Sequence, residues 1–239
     1  MKKIYLEEVE STNLYAKQNI DVLFDRTLVQ AFVQTSGRGR FQRKWVDFGR
    51  GNLFMTFVLK PSDKFNEIYS NLTQYLSVIL CKILENMDLK PQIKWPNDVL
   101  INGKKVAGIL SESVMSGSLL KGIVLGIGVN LSATEKQVSE ITDKKVTALN
   151  LELHKSVDLD KFTDLLSDAF FEYYDIFLNT GFKFIKEDYL SRACFLNKEI
   201  CIKVFDTEYK GVAIDVTDNG ELLLLKNNET LVLTIGDIL

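Results

Sequence analysis

Ile93-Lys94-Trp95-Pro96-Asn97-Asp98-Val99-Leu100-Ile101-Asn102-Gly103-Lys104-Lys105-Val106-Ala107-Gly108-Ile109-Leu110 holds the turn that sets the fold. An Asn-Gly pair between apolar runs suits a type I′ hairpin, whose two central residues both need positive φ. It predicts antiparallel neighbours at 99–101 and about 105–114. Pro96 has no N–H for a ladder, so residues 94–98 read as an irregular approach to the sheet. The hairpin thereby fixes a lysine, an amide and a carboxylate near one strand end, with Lys104 and Lys105 across from them.

Upstream, residues 28–34 alternate in part and read as a strand. Residues 52–59 read as another, rich in aromatic and branched side chains, and Pro61 stops it. Between them lies Gly37-Arg38-Gly39-Arg40-Phe41-Gln42-Arg43-Lys44-Trp45, four cations and two glycines in nine residues with no acid. Glycine lets backbone N–H groups approach a ligand closely. Arginine supplies a fixed fork of donors suited to carboxylate and phosphate. The segment is a candidate anion clamp on a loop between two strands, where scaffolds carry function; a solvated turn is the competing reading of its composition. Gly49 and Gly51 lie at its far end, so it is expected to be mobile when empty. Nearer the N-terminus, residues 4–9 read as a short strand. Ser11-Thr12-Asn13 stands where a helix N-cap belongs, ahead of a helical pattern to about residue 19.

Apolar residues at spacings of three and four predict one helix over 65–87 that packs on the sheet. Downstream of the hairpin, residues 119–131 read as a long strand carrying Gly126-Ile127-Gly128-Val129-Asn130. Glycines inside a strand mark either a bulge or room for something close to the backbone, and the sequence leaves both open. Residues 158–181 read as a second helix, and 182–193 as a further helical piece. From residue 198 the pattern changes to four short strands punctuated by tight turns, the signature of a small barrel-like module. This places a boundary between residues 1–195 and 196–239.

The net charge of −3 and pI near 5.4 argue against a dedicated nucleic-acid binder, so any basic function is local. The three cysteines form no C-x-x-C pair and sit in apolar surroundings, which predicts buried thiols. The one histidine, His154, has no triad or metal-ligand spacing around it and reads as a surface residue, so chemistry must run on Lys, Arg, Asp and backbone donors. The N-terminus turns acidic before any apolar run develops, and no stretch nears the roughly 20 apolar residues of a membrane span. The expectation is a cytoplasmic protein without membrane contact.

Five segments in order resemble the biotin protein ligases, over nearly the whole chain. They are Ser11-Thr12-Asn13; Gln34 leading into Gly37-Arg38-Gly39-Arg40-x-x-Arg43-x-Trp45; Lys94-Trp95-Pro96-Asn97-Asp98; Lys105-x-Ala107-Gly108-Ile109-Leu110; and Gly126-Ile127-Gly128-Val129-Asn130. The resemblance implies an α+β fold: a mixed, largely antiparallel sheet flanked by helices, of the class II aminoacyl-tRNA synthetase and biotin ligase type. A small C-terminal SH3-like β-barrel completes it. It also implies a two-step reaction with biotin, ATP and Mg2+ that forms biotinyl-5′-AMP and then biotinylates a carrier lysine. The carrier would be the biotin carboxyl carrier domain of acetyl-CoA carboxylase or pyruvate carboxylase. Carried over by motif, biotin falls to Ser11, Thr12, Asn13, Gln34, Arg38, Gly39, Arg40, Lys105 and Gly108. The nucleotide falls to Arg40, Arg43, Trp45, Asn97, Lys105 and Asn130, and catalysis to Lys105, Arg40 and Asp98. Magnesium would arrive on the ATP phosphates, with Asn97 near it. The loop at 37–45 becomes a lid over biotin and its adenylate.

Some members of the family begin with a winged-helix DNA-binding domain. Only ten residues precede Ser11, so the expectation is a ligase without DNA binding. The segment Val146-Thr147-Ala148-Leu149 offers no aromatic to stack on adenine. A homodimer through a sheet edge is compatible with the family. The rival readings are a lipoate–protein ligase and a non-catalytic biotin-binding regulator.

Overall fold

The computed structural model describes residues 2–239. β1 (Lys3–Leu6) runs parallel to β2 (Thr27–Ala31), with α1 (Thr12–Gln18) as the crossover. β3 (Leu53–Leu59) returns antiparallel to β2. After α2 (Leu72–Glu85) come β4 (Pro91–Lys94), β5 (Asp98–Ile101), β6 (Lys104–Ser116) and β7 (Leu119–Val129). Each pairs antiparallel with the next, and β7 closes back on β3 to give the order β1-β2-β3-β7-β6-β5-β4. The turn joining β5 to β6 is Asn102-Gly103, with φ of 51° and 71°, as the Asn-Gly pair requires.

Helical segments follow: α3 (Glu135–Ser139), α4 (Leu149–Leu153), α5 (Leu159–Glu172), α6 (Tyr174–Thr180) and α7 (Lys186–Leu190). A second sheet holds β8 (Glu199–Val204), β9 (Thr207–Val216), β10 (Leu222–Lys226), β11 (Glu229–Leu233) and β12 (Asp237–Ile238), in the order β11-β10-β9-β8-β12. β4 and β12 are strands that sequence pattern misses; four and two residues are too few to show a period.

The sheet separates two apolar clusters. Ala16, Ile20 and Leu23 pack on Val29, Val58 and Val124 on one face. On the other face lies the main core, where α2, α5 and α6 meet Phe57, Leu125, Ile127 and Val129; it continues without a break into Ile202, Ala213, Leu222 and Leu224 of the second sheet. Phe57 stacks on Phe170, and Tyr75 on Phe177, each at 4.5 Å between ring centroids.

Two helices differ from their expected form. The 65–87 helix begins as a 3-10 turn at Glu67–Asn71 and becomes α-helical at Leu72, leaving Phe65 exposed. Asn71 stands at the change, its side-chain amide donating to Asn219 O at 2.9 Å in the turn between β9 and β10. The 158–181 helix breaks at Tyr173, which lets Phe170, Tyr174 and Phe177 all bury. Of the cysteines only Cys81 is buried; Cys194, just ahead of β8, and Cys201, within it, are half-buried. His154 is exposed and closes α4 in a left-handed conformation. No helix among the described residues is long and apolar enough to cross a membrane.

Candidate active site

α1 covers only part of its face of the sheet, and the rest is the floor of a cavity of about 810 Å³. The floor is made of glycines. Gly108 and Gly128 stand opposite each other on β6 and β7, and Gly126 lies two residues along on the same face. Gly126 and Gly128 of β7 sit in regular antiparallel pairing, so the bulge reading is set aside for them; the irregularity of this hairpin lies farther along, where Val114 pairs with Gly122 and Met115 with Leu120. The glycines are needed for space. A Cβ on Gly126 would come within 2.1 Å of Asn13 Oδ1, and one on Gly128 within 2.7 Å of the Trp45 ring.

The bulge that does matter is one strand over. β5 and β6 pair Asp98 with Gly108 and Val99 with Ala107, then Leu100 with Lys105, skipping Val106. An extra residue shifts the period-2 alternation. In an unbroken strand Lys105 would share a face with Ala107 and point into the helical core. The bulge turns it to the cavity face, beside Asp98 and Gly108. Lys105 Nζ there lies 2.6 Å from Asp98 Oδ1 and 5.3 Å from the centre of the Trp45 ring.

One end of the cavity is polar and uncharged. Ser11 holds the N-cap position of α1 but makes no side-chain cap bond, so its hydroxyl is not spent on the helix. The Thr12 N–H donates to Gln34 Oε1 at 2.8 Å. Asn13 is buried, with its amide donating to Leu110 O at 3.2 Å and to Glu112 Oε2 at 3.0 Å.

The other end is cationic. The loop from Gly37 to Trp45 is folded on itself, the Gly39 N–H donating to Arg43 O at 2.7 Å and the Trp45 N–H to Gly37 O at 2.9 Å. Asp237 of β12 receives Arg40 Nη1 at 2.8 Å and lies 2.9 Å from Arg43 Nη1. Arg40 also donates to Gly236 O at 2.9 Å. Burial lowers the Arg40 pKa from its ordinary value even though Asp237 opposes that shift. Arg38, Lys44, Lys94, Lys144 and Lys145 also line the cavity.

Thirteen of the predicted site residues line this one cavity: Ser11, Thr12, Asn13, Gln34, Arg38, Gly39, Arg40, Arg43, Trp45, Asn97, Asp98, Lys105 and, on its floor, Gly108. Asn97 is held by its amide, which donates to Ile109 O at 2.6 Å. Asn130 does not reach the cavity; it is buried, and its amide donates to Thr147 O at 2.9 Å. That bond braces residues 145–147, which run beside Lys105 through the Lys105–Val146 bridge. Sequence reading missed Asp237, in a tail without motif, and Thr56, whose lone hydroxyl in the apolar run 53–59 was the available signal.

The family model of the biotin/lipoate A/B protein ligases matches residues 5–130, which holds the glycine floor, the polar end, the basic loop and Lys105. The chain belongs to that family. Within it, the chain is 33% identical to a biotin–[acetyl-CoA-carboxylase] ligase of Paracoccus denitrificans, over 92% of each chain. It is 29% identical to the bifunctional ligase/repressor BirA of Bacillus subtilis, over 85% of this chain and 62% of that one. Its fold matches the Aquifex aeolicus biotin protein ligase in complex with biotin and ATP at a TM-score of 0.80, with 26% identity over 100% of this chain and 97% of the other. The ligase family thus accounts for the α+β sheet, its helices and the C-terminal antiparallel sheet together.

Proposed function

We propose that this protein is an ATP-dependent biotin protein ligase. One observation carries the reading: a single cavity joins an uncharged hydrogen-bonding end at Thr12 and Gln34, a glycine floor and a cationic end at Arg40, Arg43 and Lys105. That is the shape of a polar ring, an apolar chain and a carboxylate meeting a phosphate. In the first step a biotin carboxylate oxygen bonds to the α-phosphorus of ATP, and the bond to the β-phosphate oxygen breaks to release pyrophosphate. In the second, the amine of a carrier lysine attacks the acyl carbon; AMP leaves and the amine gives up a proton.

Transfer of this kind needs positioning and charge neutralisation more than covalent help. Lys105 is our choice for the reacting carboxylate and α-phosphate. Asp98, 2.6 Å from it, holds the ammonium until the anion arrives and is then free to orient the carrier amine. Arg40 and Arg43 are assigned to the phosphates, and Trp45 to the wall of the cavity. Among the described residues, no three His, Cys, Asp or Glu side chains cluster as a metal cage. Magnesium is therefore read as part of the ATP substrate. The carrier is inferred to be the biotin-accepting domain of a carboxylase such as acetyl-CoA or pyruvate carboxylase.

The family also contains lipoate ligases. The polar end favours biotin, because a dithiolane ring would leave those buried donors and acceptors unpaired, a costly mismatch. The test is purified protein with Mg·ATP and a carrier domain, offered biotin or lipoate in parallel. Biotin on the carrier lysine is expected. Lipoylation would select the other family activity, and pyrophosphate exchange with neither acid would leave only a binding protein.

A further inference from the structure

Beneath the polar end of the cavity a line of hydrogen bonds runs to a half-buried ion pair. Glu112 of β6 receives Lys17 Nζ at Oε1, 2.8 Å away, and the Asn13 amide at Oε2, 3.0 Å away. Asn13 Oδ1 lies 2.7 Å from Thr56 Oγ1, which lies 2.8 Å from Thr12 Oγ1. Thr12 in turn faces Gln34 Oε1 through its N–H at 2.8 Å and its hydroxyl at 3.3 Å.

Each group in the line has a fixed number of donors. An ionised carboxylate only accepts, as does the Leu110 carbonyl that the same amide reaches at 3.2 Å, so Nδ2 of Asn13 must face these two and Oδ1 must face Thr56. The one hydroxyl hydrogen of Thr56 is then committed to Asn13. Thr12 finds only acceptors beside it, gives its own hydrogen to the protein, and presents lone pairs to the cavity. Gln34, receiving the Thr12 N–H at Oε1, is left with its Nε2 as the free end. The pocket therefore accepts from an N–H and donates to a carbonyl, the complement of a cyclic urea.

We infer that Glu112 is a positioning residue: through Asn13 and Thr56 it sets the hydrogen-bond polarity of the biotin pocket without touching biotin. This rests on the reading of the cavity as a biotin site. The carboxylate is required because both of its oxygens are used as acceptors. Glutamine has one such oxygen, and Lys17 and Asn13 compete for it; if Lys17 takes it, a Gln amide faces the Asn13 amide, and only the longer bond to Leu110 O still holds Asn13 in this orientation.

The experiment is biotin binding by calorimetry and biotin-dependent pyrophosphate exchange on wild type, Glu112→Gln, Lys17→Met and Lys17→Met/Glu112→Gln. Glu112→Gln is expected to weaken biotin about tenfold, the worth of one unmade hydrogen bond. KM for biotin should rise while kcat and KM for ATP stay near wild type. The double variant should regain wild-type affinity to within about twofold, because without Lys17 the single Gln oxygen is free to turn to Asn13. Loss of an ordinary ion pair would make the double variant no better than Glu112→Gln, and that result overturns the proposal, as does unchanged affinity in Glu112→Gln. If Glu112→Gln alone fails to fold, the double variant against Lys17→Met decides: equal affinity supports the proposal and a tenfold deficit overturns it. A wild type that binds no biotin would instead remove the functional reading beneath it.

Discussion

Replacing Gly128 by alanine should unseat the basic loop while leaving the sheet intact. The added methyl would lie 2.7, 2.8 and 2.9 Å from three atoms of the Trp45 indole. Carbon contacts settle near about 3.5–4.0 Å, so the ring must withdraw by about 1 Å. An indole cannot bend, and Trp45 is tied to Gly37 through its backbone, so the displacement passes to the whole loop. Overpacking of this size costs about 1–3 kcal/mol. If the loop escapes by opening, its open population rises by about 5- to 150-fold. Trypsin cleavage after Arg38, Arg40, Arg43 or Lys44 reports that population when reclosing outpaces cleavage. The ligand-free variant should therefore be nicked at these sites at least about fivefold faster than wild type, with little change in global melting. The companion is Trp45→Ala, which opens the loop but removes the clash, so Gly128→Ala should add almost nothing in that background. Equal cleavage rates for wild type and Gly128→Ala would refute the seat, and so would additive effects in the double variant.

Three further outcomes follow from the same geometry. Lys105→Ala should slow adenylate formation by about 100-fold or more, read by single-turnover kinetics, because it removes a preorganised charge at the reacting oxygens. Asp237→Asn should destabilise the fold by about 1–3 kcal/mol in a urea titration, since it strips the partner from a half-buried guanidinium at Arg40. The Asp188 carboxyl is held below its ordinary pKa: burial works against this, but hydrogen bonds from Lys82 and Arg192 prevail. Its contribution is present above the unfolded pKa near about 3.9 and lost as pH falls through the folded value, so Asp188→Asn should flatten the loss of stability below about pH 4.

Local signals made much of this legible in the sequence. Asn102-Gly103 gave the hairpin because turn chemistry is confined to two residues. The glycines at 108, 126 and 128 and the basic loop came from composition and order. The rest depends on partners distant in the chain. The 3-10 start ahead of α2 and the reach of Asn71 to residue 219 are such features, and no periodicity reports them. Asn130 belongs to a motif yet acts as a brace, because burial decides its role and motifs do not carry burial. The bulge at Val106 leaves no mark in the residue types, although it alone decides which way Lys105 faces.

The carbonyl of Gly220, in the turn between β9 and β10, ties the second sheet to α2 and to the turn after β4: it accepts from Gln74 at 2.9 Å and from Trp95 at 3.2 Å, and its φ of 81° suits glycine. A methyl there would lie 2.3 Å from Asn71 Nδ2. The C-terminal sheet is consequently not an interchangeable part. A chimera that grafts the tail of another ligase onto this catalytic half must carry a left-handed glycine at the same turn, opposite the donors at 71, 74 and 95. It must also bring an acid in register with Asp237, or Arg40 of the basic loop will be left without its acidic partner.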